Sequence, residues 1–240
     1  MAKQAMNEIY SHNKVPIITG GTGFYIQALL YDIDFKENDE KNPVREELEQ
    51  LAEKLGENAP QVLHQKLQEV DPEAAAQIHA NNIKRVIRAI EYFKQTGEKI
   101  SQHNEEMHQK DSPYNFLYYV LTRDRKVLYE RIDRRVDIMM ENGLVDEVKK
   151  LKDMGCHRGQ TSMQGLGYKE ILDYLDGGCT LEEAVYILKR DTRHFAKRQL
   201  TWFRREKDVR WLDLDQYQGN TDLILADILK DCEQAEIVLK

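Results

Sequence analysis

The chain of 240 residues has three cysteines, two tryptophans and no long apolar run. Cys156, Cys179 and Cys232 show no paired spacing, so neither a disulfide framework nor a zinc site is predicted. The seven histidines lack metal-ligand spacing, and no metal-binding residues are identified. No stretch approaches the ~20 apolar residues of a membrane span, and the start lacks the apolar stretch of a secretory signal. These absences predict a cytoplasmic protein that does not associate with a membrane.

The composition, 41% apolar and 32% charged residues, allows a sizeable core. A chain of this length forms one large domain or two smaller ones. The net charge of −7 argues against indiscriminate binding of nucleic acid. It leaves room for a local basic face, so the distribution of charge decides.

The order of predicted elements indicates an α/β layer that carries a helical insertion. Residues 1–34 and 111–240 form the predicted α/β core, and 35–110 the insertion, with a polar connector at 34–42. The predicted strands are 15–19, 114–122 and 209–215. The predicted helices are 43–55, 59–69, 72–79, 82–96, 100–109, 168–175, 181–205 and 221–234. Helices also cover 125–153, and the first of them ends near Gly143.

A glycine-rich segment, residues 20–23, follows the first predicted strand and precedes a helical turn. The backbone N–H groups of Gly20, Gly21 and Gly23 can converge on an anion, and Thr22 offers a hydroxyl. No Gly-Lys-Ser/Thr follows, so the segment is neither a Walker A loop nor a dinucleotide fingerprint. A tight structural turn is an equally good interpretation.

Two predicted helices carry a basic face. In the helix over 82–96, isoleucines and a valine cluster on one side while Lys84, Arg85 and Arg88 lie on the other. In the helix over 181–205 the only acid between residues 184 and 205 is Asp191. Six cations of this helix form a ridge ~20 Å long that suits a nucleic-acid backbone. They are Arg190, Arg193, Lys197, Arg198, Arg204 and Arg205. The alternative for both helices is an ordinary solvated surface.

The segment over 164–169 joins two predicted helices and has residue types that suit a nucleobase. Gln164 can pair with a base edge, Gly165 and Gly167 allow a backbone to come close, and Tyr168 offers a stacking ring beside Lys169. A plain interhelical loop is the alternative.

Arg135 falls between Leu128 and Met139 in the apolar stripe of the helix that begins near residue 125. We therefore predict that its guanidinium points toward the interior. Such a charge is costly unless an anion or a hydrogen-bond network meets it. The alternatives are an intramolecular acid partner and a side chain that reaches the rim.

Taken together, these segments resemble the tRNA dimethylallyltransferase family (tRNA isopentenyltransferases). The resemblance runs in order through essentially the whole chain, and its last two motifs are highly specific in combination. The motifs are residues 16–25, 84–91, 128–139, 143–148, 164–170 and 192–204.

The resemblance implies a P-loop-NTPase-like parallel sheet core with an inserted all-helical domain that grips the tRNA anticodon stem-loop. It implies transfer of a dimethylallyl group from dimethylallyl diphosphate to N6 of the adenosine 3′ to the anticodon, in tRNAs that read codons beginning with U. Mg²⁺ is expected to assist the diphosphate, although its ligands are not identifiable here, and a monomer is expected.

The resemblance also assigns roles to residues. Negative charge grows on the departing diphosphate, so donors and cations placed there lower the barrier. Arg135 and Thr22 take catalytic roles, and Gly20, Gly21 and Gly23 line the channel where the donor and the target base meet. The residues expected to contact tRNA are Lys84, Arg85, Arg88, Gln164, Gly165, Gly167, Tyr168, Lys169, Arg193, Lys197, Arg198 and Arg204.

Two family segments do not occur in these 240 residues. They are the Gly-rich P-loop with its Lys and Ser/Thr, and the Asp-Ser-x-Gln-x-Tyr segment whose aspartate is the assigned general base. We therefore expect a core that is incomplete at its N-terminal side and a chain that is inactive alone. The alternatives are a tRNA-binding remnant without activity and a small-molecule kinase.

Overall fold

The computed structural model describes residues 1–33 and 42–237. They fall into two compact units. The α/β unit comprises residues 1–23 and 115–237, and the helical unit comprises Phe24–Tyr114. Except for Asn42, the predicted connector at 34–42 lies outside the described residues.

The helices and strands, in chain order, are α1 (Ala2–Ser11), α2 (Gly23–Leu30), α3 (Pro43–Leu55), α4 (Ala59–Val70), α5 (Pro72–Gln77), α6 (Ile83–Thr96), α7 (Ile100–Gln109), β1 (Tyr118–Thr122), α8 (Arg125–Glu141), α9 (Leu144–Asp153), α10 (Tyr168–Leu175), α11 (Leu181–Phe203), β2 (Val209–Asp213) and α12 (Thr221–Gln234). Two short 3₁₀ helices, Gly56–Asn58 and Thr161–Gln164, add to these. The prediction that the helix starting near residue 125 ends near Gly143 is confirmed, because Gly143 adopts a left-handed φ of 89° between α8 and α9.

Local signals explain where the helices of the helical unit begin and end. The Asn42 side chain accepts from the Val44 N–H at 3.0 Å, and Pro43 occupies the first position of α3. Gly97, with φ of 74°, ends α6 as a left-handed cap. Consequently the predicted bounds of α3 and α7 are confirmed, and those of α6 differ by one residue at the start.

The core of the helical unit is the apolar side of α6 packed on α3 and α4, and α5 packs on α4. Its buried members are Leu48, Leu63, Leu67, Ala74, Ala75, Val86, Ile87, Ala89 and Ile90. The predicted two-sided character of residues 82–91 is therefore confirmed, since its apolar residues face this core.

Two buried carboxylates join helices within this unit. Glu91, 1% exposed, accepts from Asn42 Nδ2 at 2.6 Å, Arg45 at 2.8 Å and Arg88 at 3.2 Å. Asp71 accepts from the Ser101 hydroxyl at 2.7 Å and the Ser101 N–H at 2.9 Å. Burial alone would raise the pKa of each carboxyl, but these hydrogen bonds hold both pKa values below the ordinary range.

The α/β unit contains one sheet in the described residues, formed by β1 and β2 in parallel. Tyr118 pairs with Val209 and Thr122 with Asp213 at the two ends of the ladder. Tyr118 contacts Phe203 of α11 edge to face, at 6.2 Å between ring centroids. Helices α8 to α11 form a second core, whose buried members are Val136, Leu144, Val148, Met163, Ile171, Leu172, Ala184 and Leu188.

The predicted strand over residues 15–19 is wrong. This segment has no ladder partner in the described chain, and Ile17 and Ile18 are 83% and 43% exposed. A strand needs a neighbour for its backbone groups, and Pro16 also lacks an N–H to donate. The observed fold is thus mostly helical with a small parallel sheet, which agrees with the α/β class. The larger P-loop-like core stays a prediction.

Candidate substrate-binding site

The glycine segment, residues 20–23, packs against the C-terminal part of α11. A Cβ atom added to Gly21 would lie less than 3.0 Å from the Gln199 side chain, and one added to Gly23 less than 3.0 Å from the Trp202 indole. None of Gly20, Gly21 and Gly23 has a left-handed φ. Two of the glycines are therefore explained by close approach of α11 and not by a tight turn. Gly20 faces open space.

A hydrogen bond fixes this packing. The Gln199 Nε2 group donates to the Gly21 carbonyl oxygen at 2.6 Å. Thr22 is exposed, and neither its N–H nor its hydroxyl has a partner among the residues that the structure describes. The loop thus presents free donors on the side of Thr22.

Gln199 and Trp202 were not among the sequence-predicted site residues. The sequence contained a signal for them, because the two residues are three apart on one predicted helix and so lie on the same face. Both also fall inside the motif over 192–204. The two side chains bring the predicted glycine loop and the predicted basic helix together.

The prediction that Arg135 points into the interior is wrong, since the residue is exposed. The buried residue of this turn of α8 is its neighbour Val136, 2% exposed. Helix α11 packs on the side of α8 that carries Asp133 and Asp137, about 160° around the helix from Arg135 at about 100° per residue. Arg135 has no acid partner in the described part of the chain, so its charge faces solvent unneutralised.

The basic ridge of α11 divides into a paired and a free portion. Arg193 pairs with Asp133 at 2.5 Å, and Arg190 pairs with Asp191 at 2.9 Å. Lys197 and Arg204 are exposed and have no acid partner among the described residues. The exposed Arg198 lies over the Phe195 ring at 5.7 Å, a distance typical of a cation–π contact.

The basic side of α6 divides in the same way. Lys84 and Arg85 are exposed, without an acid partner in the described ranges. Arg88 is half-buried and bonded to the buried Glu91. Two of its three cations therefore remain available to an external anion.

The loop over 164–169 is held by internal contacts. Gly167 requires its glycine, because its φ is 101°, and its N–H donates to Glu170 at 2.8 Å. The Tyr168 hydroxyl donates to Glu147, which raises the pKa of Tyr168. Lys169 lies 3.3 Å from Glu170, and the exposed Gln164 donates to the Arg158 carbonyl oxygen, while Gly165 is exposed.

The metal-binding residue types of residues 1–33 and 42–237 form no metal centre. No three His, Cys, Asp or Glu side chains of these residues lie close enough together to hold an ion. They therefore supply no complete set of ligands for Mg²⁺, and no chemical step is assigned through it. The three cysteines are free, and no described helix combines the length and apolarity needed to cross a membrane.

The chain matches known proteins over nearly its whole length. The sequence profile of the family described as IPP transferase covers residues 1–206. A "tRNA dimethylallyltransferase" of Lachnoclostridium phytofermentans is 60% identical over 237 residues, which are 99% of this chain and 74% of the relative. One of Acetivibrio thermocellus is 48% identical over 93% of this chain and 71% of the relative.

Two solved structures extend the similarity to the fold. The tRNA isopentenylpyrophosphate transferase of Bacillus halodurans has a TM-score of 0.61 and 42% identity, covering 98% of this chain and 73% of that one. A eukaryotic dimethylallyltransferase acting on tRNA has a TM-score of 0.73 and 26% identity, covering 100% and 61%. The resemblance drawn from the sequence motifs is thereby confirmed: this chain belongs to the IPP transferase family of prenyltransferases.

Proposed function

We propose that this chain binds the anticodon stem-loop of tRNA together with dimethylallyl diphosphate. The reaction served is transfer of the dimethylallyl group to N6 of the adenosine 3′ to the anticodon, in tRNAs that read codons beginning with U. The observation that carries the proposal is the contact of the glycine loop, residues 20–23, with the basic helix α11. One side of this contact suits a diphosphate and the other an RNA backbone.

In this reaction the bond from the allylic carbon to the diphosphate breaks, the bond to N6 forms, and N6 loses a proton. Negative charge grows on the departing diphosphate, so free donors beside it lower the barrier. In the part of the chain that the structure describes, the Thr22 N–H and hydroxyl have no partner and the Arg135 guanidinium has no acid partner. We assign both to the diphosphate, with Gly20, Gly21 and Gly23 lining the channel.

The free cations carry the proposed grip on tRNA. Lys84 and Arg85 of α6, and Lys197 and Arg204 of α11, are exposed and unpaired in the described chain. We assign phosphate contacts first to these four. The target base has to leave its stack to react, so it needs edge and face contacts. The exposed Gln164 suits the edge contact, for which its amide would leave the Arg158 carbonyl oxygen.

The remaining expected contacts are weaker candidates, since internal partners occupy them. Arg88 and Arg193 are bonded to acids, and the Tyr168 hydroxyl and Lys169 are bonded to carboxylates. Each would exchange a partner inside the protein for one on RNA. Their contribution to affinity is therefore smaller than that of a free cation.

We further propose that the 240-residue chain binds but does not turn over by itself. Neither the P-loop nor the segment that bears the general-base aspartate occurs in its sequence. A binding protein without catalysis is thus the second candidate. Mg²⁺ is expected to accompany the diphosphate, and a monomer is expected.

The experiment combines the chain, unmodified tRNA and labelled dimethylallyl diphosphate with Mg²⁺. We expect salt-dependent tRNA binding in a filter assay and no label on the tRNA. Turnover at a normal rate would refute the inactivity, and tRNA binding without a salt slope would refute the basic interface. Addition in trans of the unmatched portion of the Lachnoclostridium phytofermentans relative separates the two candidates. Restored transfer favours the enzyme, and continued inactivity favours the binding protein.

A further inference from the structure

The peptide between Gly21 and Thr22 is the part of the glycine loop whose orientation the structure explains. The Gln199 side chain donates a hydrogen bond of 2.6 Å to the Gly21 carbonyl oxygen. No peptide bond in the described chain is cis. In a planar trans peptide, the carbonyl and the following N–H point in opposite directions. Because the Gly21 carbonyl points to Gln199, the Thr22 N–H points away from it.

The direction of this peptide decides whether the loop attracts or repels an anion. With the observed orientation, the exposed Thr22 turns outward an N–H that has no partner within residues 1–33 and 42–237. In a flipped peptide the Gly21 carbonyl would take that place, and its partial negative charge would face the anion. Gly21 has little intrinsic preference between these states, since glycine is the most permissive residue. The hydrogen bond from Gln199 therefore selects one of them.

We infer that Gln199 is a positioning residue for the donor: it holds the Gly21–Thr22 peptide so that the Thr22 N–H faces the diphosphate. The inference rests on the proposed function, because it takes the glycine loop as the diphosphate site. The Trp202 indole supports it by closing the other end of the loop against the buried Gly23. Gln199 itself need not touch the substrate.

The test titrates pyrophosphate with Mg²⁺ into the ¹⁵N-labelled 28.2 kDa chain and follows the amide resonances. Q199M removes the donor while it keeps charge and approximate length, and Q199L serves as a second variant. T201V is the matched control, because Thr201 is an exposed neighbour on α11 whose hydroxyl bonds to the Lys197 carbonyl. Resonances outside the loop report in the same spectra whether each variant is folded.

We expect pyrophosphate to shift the Thr22 amide equally in the wild-type chain and in T201V. Loss of one hydrogen bond should weaken binding in Q199M and Q199L about three- to tenfold and abolish the Thr22 shift. Unchanged affinity and an unchanged Thr22 shift in both variants would overturn the positioning role alone. Failure of the wild-type chain to bind pyrophosphate at the loop would overturn the donor assignment and the inference with it.

Discussion

The division of α11 into paired and free cations predicts which arginines and lysines contribute to tRNA binding. The perturbation is the pair of substitutions Lys197→Ala and Arg204→Ala, compared with Arg193→Ala. Lys197 and Arg204 lack an acid partner among the described residues, so they can neutralise phosphates at no internal cost. Arg193 is already bonded to Asp133 at 2.5 Å.

The magnitude follows from counterion release. Each phosphate contact contributes about 0.7–0.9 to the slope of log affinity against log salt, so loss of Lys197 and Arg204 lowers that slope by about 1.4–1.8. Arg193→Ala should leave the slope nearly unchanged. It should instead lower the free energy of unfolding by about 0.5–1 kcal/mol, because Asp133 is 38% exposed and regains water.

The assay is filter binding of an unmodified anticodon stem-loop between about 50 and 200 mM salt, the range in which such slopes are well resolved. Lys149→Ala with Lys150→Ala is the matched control. Both lysines are exposed on α9, and their substitution removes the same charge as that of Lys197 and Arg204. If the salt slope falls as much in this control as in the α11 pair, the net charge of the chain determines tRNA affinity, and the basic ridge of α11 does not. A larger fall for Arg193→Ala than for the α11 pair would reverse the assignment.

Three further predictions concern stability. Glu91→Gln should lower the free energy of unfolding in urea by about 1–3 kcal/mol, since charge-assisted bonds to a buried carboxylate weaken, whereas Glu47→Gln on the surface should change little. Because the folded pKa of Asp71 lies below its ordinary 3.8, its contribution is complete above that pH and is lost as pH falls through the folded value. Circular dichroism from pH 6 to 2 should therefore show a weaker acid loss of helicity in Asp71→Asn than in the wild-type chain. Gly23→Ala should lower Tm because its Cβ meets an indole, whereas Gly20→Ala, which meets open space, should not.

The helices could be predicted from sequence because their signals are local. Pro43 directly after Asn42 marks the start of α3, and Gly97 directly after Thr96 marks the end of α6. Both signals can be recognised without knowledge of the rest of the chain. The strand over 15–19 could not be judged in that way. Its apolar residues fit a buried strand, but a strand forms only if another strand supplies its partner groups.

The reason for glycine at positions 21 and 23 could not be predicted from the sequence either. A run of glycine predicts conformational freedom, yet Gly21 and Gly23 have ordinary φ values and are small because α11 lies against them. Gln199, the residue that bonds to Gly21, is 178 positions away in sequence. Contacts of this separation leave no local pattern.

The wrong prediction for Arg135 shows that helical periodicity identifies the apolar side of a helix but not the element that packs on it. The stripe of Leu128, Ile132, Val136 and Met139 is apolar, but at about 100° per residue Arg135 lies at its edge, about 100° from the buried Val136. On another side of α8, Asp133 and Asp137 meet Arg193 and Lys189 of α11. These two ion pairs use the cations of α11 that lie far from the glycine loop. Among the described residues, Arg135 of α8 and Lys197 and Arg204 of α11 have no acid partner. The same helix thus uses part of its charge inside the protein and exposes the other part to solvent, where we propose that it meets phosphate.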